Sequence, residues 1–193
     1  MTDDFSRQQV RFTDDVDLIV SVLGKSGWYQ LRDQLLNSGF TEAIGESVNC
    51  RMRLGEMKVD FMPDDADALG FTNRWYKDAL ISARLFQLQQ ELFINVVSPP
   101  YFVATKLEAY KGRGNGDPLA SHDVEDMLTL IDGRSELLAE IAKSPKPLVH
   151  YIKVELEQLL GHNGFEYAIQ STALGNLERE QHLVQRVQKL IDL

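Results

Sequence analysis

The sequence predicts an α/β protein with a small mixed sheet in its first half and a helical region in its second half. Residues 11–97 contain short apolar runs with strand-like alternation, such as RFTDDVDLIV at positions 11–20. After Pro99 the apolar residues instead recur at helical spacing. We expect a core over residues 1–143 and a helical C-terminal annex over residues 144–193, with the boundary near residues 143–147.

The first half begins with a strand, a helix and a hairpin. Residues 11–20 end in an apolar, β-branched run that is typical of a strand. Residues 28–37 carry leucines spaced for one helical face, and the Ser-Gly pair that follows is expected to end the helix. Residues 49–62 alternate on both sides of Gly55, which predicts a hairpin. Residues 64–69 are expected to form a loop.

The rest of the chain predicts a short helix, two strands and then helices only. The short helix is expected over residues 75–83 and the strands over residues 83–97. The later helices share apolar stripes at helical spacing, and Ser121 is a suitable N-cap for one of them. They are expected over residues 101–111, 124–131, 147–160 and 172–192, with a glycine-rich turn at 112–117.

Composition excludes several classes of protein. The 20 Lys+Arg against 29 Asp+Glu give a net charge of −9, which argues against extended binding to a phosphate backbone. The single cysteine, Cys50, cannot form an internal disulfide. No apolar run approaches the roughly 20 residues that span a bilayer. We therefore expect a cytoplasmic protein that does not enter a membrane.

The most informative residues for function are carboxylates on predicted strands. Side chains alternate along a strand, so Asp15 and Asp17 should project together, about 7 Å apart. Such a pair repels unless a cation lies between its members, and Mg²⁺ suits carboxylate ligands. Asp60 joins the pair if its strand lies beside the first. The alternative is that these carboxylates merely solvate a strand edge.

Lys106, in the predicted helical half, is a further candidate site residue. Lys106 has only uncharged residues at i±3 and i±4, so it either extends to the surface or is held for an anion. Asp123 and Asp126, three residues apart, could share one helical face. They could equally serve only to stabilise the first turn of their helix through its dipole.

Four blocks of the sequence together resemble the AbiEii-type nucleotidyltransferases. These are minimal, polymerase-β-like enzymes of bacterial toxin–antitoxin and abortive-infection systems. The blocks are RFTDDVDLIV, KVDFMP, SPPYFVATKLEAYKGRG and SHDVEDMLTLIDGR, in that order, within residues 11–134. Four blocks in the right order are far more specific than any single one. The resemblance implies a polymerase-β-like nucleotidyltransferase core.

The resemblance also implies a role for each matching residue. Asp15 and Asp17 would bind Mg²⁺ (or Mn²⁺) with the nucleoside triphosphate, and Asp60 would ligate metal and activate the acceptor. Lys106 and Asp123 would lie near the triphosphate, and Asp126 is a further candidate. Arg11 and Thr13 of the first block would contribute to nucleotide binding.

The implied reaction transfers a nucleoside monophosphate from an NTP to an acceptor hydroxyl on RNA, such as a tRNA end, or on a protein. A cognate antitoxin and a homodimer are further candidate partners. The family also carries a Gly-Gly or Gly-Ser element before the DxD strand, whereas the ten residues before Arg11 contain no glycine. This departure keeps a second interpretation open, namely a degenerate, non-catalytic regulatory or interaction protein with the same fold.

Overall fold

The computed structural model describes residues 13, 15–43, 49–113 and 116–193. The described chain is a mixed α/β protein with small sheets, as predicted. It divides into two compact units, Arg11–Ile81 and Ser82–Leu193, here named the sheet unit and the helical unit. The predicted boundary at residue 143 falls inside the helical unit, so the division into core and annex stays a prediction.

The sheet unit is a four-stranded sheet with helices. Its strands are β1 (Asp15–Val20), β2 (Thr41–Glu42), β3 (Arg51–Leu54) and β4 (Met57–Pro63), in the order β1-β4-β3-β2. β1 runs parallel to β4, and the other neighbours are antiparallel. The helices are α1 (Gly24–Asn37), α2 (Ala66–Leu69) and α3 (Tyr76–Ile81). The first strand, the hairpin and two of these helices were therefore predicted correctly.

One face of this sheet forms the core of the unit. Alternation places Val59 and Phe61 of β4 inward, where they pack with Trp28 of α1. All three side chains are buried. The ring of Phe40 meets Phe61 edge to face at 5.6 Å between centroids. Burying one face leaves the charged residues of β1, β3 and β4 together on the other face.

The prediction of a loop over residues 64–69 is wrong for residues 66–69, which are helical. Asp65 is an N-cap whose carboxylate accepts from the Asp67 amide, and it starts the short helix α2. Gly70 ends that helix in the left-handed conformation, at φ 83°. The adjacent Asp64 accepts from the Val22 amide at 3.0 Å. These acidic residues therefore fix the segment that follows β1.

The helical unit begins with the two predicted strands and continues as a set of packed helices. The hairpin pairs β5 (Arg84–Gln89) with β6 (Leu92–Val96) in a two-stranded sheet. Six helices follow in the described chain, and their shared core includes Leu107, Leu128, Ile152 and Leu183. They are α4 (Pro99–Arg113), α5 (His122–Gly133), α6 (Leu137–Ala142), α7 (Lys146–Leu160), α8 (Asn163–Thr172) and α9 (Leu177–Ile191).

The helix predicted over residues 172–192 is wrong at its start. Leu174 and Gly175 have positive φ values of 52° and 73°, which interrupts the chain between α8 and α9. Asn176 then caps α9 by accepting from the Arg179 amide. In the helical unit, the helices α6 and α8 were not predicted. Among the described residues, none of the helices combines the length and apolarity needed to cross a bilayer.

Candidate functional site

Strand register brings the three predicted carboxylates onto one face of the sheet unit. Asp17 of β1 pairs with Asp60 of β4, so their side chains lie side by side. Asp15 lies on the same face two residues earlier, opposite Lys58. The expected juxtaposition of Asp60 with the DxD pair is therefore present, because β4 is the parallel neighbour of β1.

This face also carries cations that the sequence argument did not include. β3 adds Arg51 beside Asp60 and Arg53 beside Lys58. Alternation and register thus place three carboxylates and three cations on one face, in two rows across the strands. The first row consists of Asp17, Asp60 and Arg51, and the second row consists of Asp15, Lys58 and Arg53.

Arg51 binds Asp60 and Asp15 directly. Its Nε lies 2.6 Å from Asp60 Oδ1 and its Nη2 lies 2.8 Å from Asp60 Oδ2, which is a bidentate pair. The same Nη2 reaches across β4 to Asp15 Oδ2 at 3.0 Å. The side chains of Arg51 and Asp60 are only 14% and 11% exposed. Arg51 therefore supplies a positive charge to Asp15 and Asp60 from within the chain.

The thiol of Cys50 lies next to this charged face. Burial raises its pKa to about 11, and the charge of Asp60 adds to the increase. A thiol with such a high pKa remains protonated at neutral pH and is a poor nucleophile. Cys50 is therefore a core residue of the sheet unit and not a reactive group.

The carboxylate oxygens on this face of the sheet unit suit a hard cation, although the described residues do not form a complete set of metal ligands. Carboxylate oxygens are the ligands that Mg²⁺ prefers. Within the described residues, however, no group of three or more His, Cys, Asp or Glu side chains is arranged to hold a metal ion. Both oxygens of Asp60 already accept from Arg51. The residues fit a divalent cation in chemistry, and the cation would compete with a guanidinium for them.

Three further predicted site residues, Lys106, Asp123 and Asp126, form a second charged group inside the helical unit together with Arg113. These four residues are here named the lysine cluster. Lys106 of α4 donates to Asp126 Oδ2 at 2.7 Å and to Asp123 Oδ1 at 3.3 Å. Asp123 and Asp126 therefore share one face of α5, as the spacing suggested. Lys106 is held by anions, and those anions are carboxylates of the same chain.

Arg113 completes this cluster from the last turn of α4. Its Nε and Nη2 each lie 3.0 Å from an oxygen of Asp123. Burial alone would raise the pKa of Asp123, but the hydrogen bonds from Arg113 and the charge of Lys106 outweigh it, so the pKa lies below its ordinary value. Asp123 is thus a buried, ionised residue that organises two cations.

Two predicted nucleotide-binding residues lie at the start of the chain. Thr13 donates from Oγ1 to the carbonyl oxygen of Asp15 at 3.2 Å and is exposed. Arg11 lies outside the described residues.

Arg51 is the residue that the sequence interpretation missed, although the signal for it was present. A two-residue turn at Gly55-Glu56 pairs Leu54 with Met57, and counting back from the turn pairs Arg51 with Asp60. The ion pair between Arg113 and Asp123 was not predicted, because Asp123 lies ten residues later, beyond the glycine-rich turn.

Comparison with known proteins does not identify the chain. None of the protein-family models that were searched matches the sequence, and no curated protein matches it significantly.

Proposed function

We propose that this protein is a metal-dependent nucleotidyltransferase with a polymerase-β-like core in its sheet unit, acting in the cytoplasm. The observation that carries the proposal is the register of β1 and β4, which sets Asp17 beside Asp60 with Asp15 on the same face. The order of the four sequence blocks supports the same function independently. The acceptor would be an RNA, such as a tRNA end, or a protein, and a cognate antitoxin would be its natural regulator.

The proposed reaction is a displacement at the α-phosphorus of an NTP. The oxygen of the acceptor hydroxyl forms a bond to that phosphorus, and the bond to the bridging oxygen of the β-phosphate breaks, which releases pyrophosphate. Asp60 accepts the proton of the attacking hydroxyl. A carboxylate is suited to this role because it is ionised at neutral pH and acts only as an acceptor.

Asp15, Asp17 and Asp60 would hold the Mg²⁺ (or Mn²⁺), as hard oxygen donors. When bound, such an ion neutralises charge on the phosphates and orients them. Lys106 and Asp123 enter the proposal through the sequence resemblance. Lys106 would balance phosphate charge, and Asp123 would position it, since the two are already joined by a hydrogen bond within the helical unit.

The test is a transfer assay with NTPs labelled at the α-phosphorus and with tRNA or total protein as the acceptor. The wild type should incorporate label in a reaction that requires Mg²⁺ or Mn²⁺, and the double variant Asp15→Asn/Asp17→Asn should not. Asp33→Asn is a matched control, because it removes an exposed carboxylate of the same unit. Full transfer by the double variant would exclude this mechanism.

A second candidate, a non-catalytic interaction protein, is favoured by the β5–β6 hairpin. Its apolar side chains are unusually exposed, with Leu85 at 69%, Phe86 at 52% and Phe93 at 50%. Phe86 pairs with Ile94 on one face, and Phe93 projects from the other. A two-stranded hairpin with exposed apolar residues on both faces is marginal in water, so it favours pairing with another surface.

The partner in this second candidate is another copy of the chain. Two half-exposed phenylalanines offer roughly 100 Å² each. With the neighbouring leucines they would form the apolar part of an interface, whose standard size is roughly 800 Å² per partner. Sedimentation equilibrium should show a dimer that Phe86→Ser/Phe93→Ser converts to a monomer. A monomeric wild type at all concentrations would reject this candidate.

A further inference from the structure

The carboxylate face contains a cation of its own at the place where the proposed function needs a metal. Arg51 donates hydrogen bonds to both oxygens of Asp60 and to one oxygen of Asp15. These bonds connect all three of β1, β3 and β4. An exposed ion pair would be weak, but here the Arg51 and Asp60 side chains are 14% and 11% exposed, so water screens them poorly.

We infer that Arg51 is a resident counter-ion which a divalent cation must displace to reach Asp15 and Asp60, so that Arg51 sets the metal affinity of the site. The inference rests on the proposed function, because it concerns the regulation of the same carboxylates. In the metal-free protein the guanidinium neutralises charges that would otherwise repel. When a metal binds, the guanidinium leaves, and a negatively charged triphosphate is a natural new partner for it.

Competition between Arg51 and a divalent cation predicts in which direction the metal affinity changes when Arg51 is removed. Removing the guanidinium frees three acceptor positions on Asp15 and Asp60, so a divalent cation should bind more tightly. Charge-assisted hydrogen bonds are strong enough that their release should increase affinity on the order of 10-fold or more. The same removal should destabilise the metal-free sheet unit, because its carboxylates then lack a counter-ion.

The experiment measures the binding of Mn²⁺ alone, without nucleotide, by the paramagnetic resonance of the free ion. The proteins are the full-length wild type, Arg51→Gln and Arg51→Lys. We expect Arg51→Gln to bind Mn²⁺ about 10-fold more tightly than the wild type. Arg51→Lys should fall between them, because it keeps the charge but loses the bidentate geometry.

Arg32→Gln is the matched control. It removes one positive charge from the same unit, where Arg32 contacts Asp33 and Glu42 instead of the site carboxylates. Its Mn²⁺ affinity should equal that of the wild type. An equal gain in Arg32→Gln and Arg51→Gln would overturn the inference, because it would reflect overall charge.

Thermal unfolding gives a second, independent readout. Trp28 and Trp75 are the only two tryptophans in the sequence and both are buried in the sheet unit, so tryptophan fluorescence reports on that unit. Arg51→Gln should melt below the wild type in EDTA and recover most of the loss in Mn²⁺. Should Arg51→Gln fail to fold in EDTA yet fold in Mn²⁺, the inference is supported as well.

Failure of the inference and failure of the proposed function are distinguishable. Unchanged or weaker Mn²⁺ binding by both Arg51 variants overturns the role of Arg51, even when the transfer assay succeeds. Absence of Mn²⁺ binding in every variant also overturns it. The transfer assay with Asp15→Asn/Asp17→Asn then decides the proposed function separately.

Discussion

Replacing Asp123 by asparagine should destabilise the helical unit by about 2 kcal/mol, within the range of charge-assisted hydrogen bonds. Asp123 is 7% exposed and accepts from both Arg113 and Lys106. Asparagine removes the charge and turns one acceptor into a donor that faces a guanidinium. The variant therefore loses more than a single neutral hydrogen bond.

The loss should stay below the roughly 3–5 kcal/mol of a buried charge left alone. Lys106 retains Asp126 at 2.7 Å, and the Arg113 side chain is 65% exposed, so water can solvate it. Asp126→Asn is the control, because the Asp126 side chain is 26% exposed and water therefore solvates its carboxylate better than that of Asp123. That variant should lose about 1 kcal/mol or less.

The assay is urea unfolding followed by far-UV circular dichroism, because most of the helix lies in the helical unit. At neutral pH the unfolding midpoint should fall for Asp123→Asn. The pKa of Asp123 is lowered in the folded state, so its stabilisation is present above the unfolded pKa of about 4 and is lost as the pH falls through the folded value. The difference between wild type and variant should therefore shrink in acid.

Two results would refute this reasoning. A loss equal to that of Asp126→Asn would mean that the burial of Asp123 and its two cations add nothing. A difference between wild type and Asp123→Asn that grows in acid would contradict the sign of the pKa shift.

Three further predictions concern single residues. Cys50, with its pKa of about 11, should resist iodoacetamide at mildly alkaline pH until urea unfolds the sheet unit; rapid labelling of the folded protein would contradict its burial. Gly55→Ala should cost about 1 kcal/mol of unfolding free energy by fluorescence, because φ is 63° while no atom lies within 4 Å of the new methyl group; an unchanged midpoint would contradict this. Tyr151→Phe should cost about 1.5 kcal/mol by circular dichroism, since the hydroxyl donates to Glu108 Oε2 at 2.6 Å; a neutral effect would mean that water replaces the bond.

The parts of the fold that depend on neighbouring residues could be predicted from the sequence. Alternation around Gly55 predicted β3 and β4, and the side chain of Ser121 accepts from the Val124 amide as an N-cap should. The interruption before α9 was missed, although Gly175 and Asn176 are residue types that commonly end one helix and cap the next. Only Leu174, at φ 52°, is a residue type that rarely adopts its observed conformation.

The parts of the site that depend on which strands are neighbours could be predicted only on the assumption of a particular strand pairing. The sequence predicted that Asp15 and Asp17 need a cation, and the structure places Arg51 beside Asp15. That outcome requires the pairing of β1 with β4 across more than forty residues, which alternation alone does not specify. Likewise, the uncharged neighbours of Lys106 predicted a distant anion, but its identity depended on how α4 packs on α5.

The measurement that tests the central claim most directly is calorimetric titration of each NTP with Mg²⁺ into the wild type and into Asp15→Asn/Asp17→Asn. It needs no knowledge of the acceptor. The proposed function predicts NTP binding that requires the metal and is lost in the double variant. Binding that persists unchanged in the double variant, or no binding to the wild type, would contradict it.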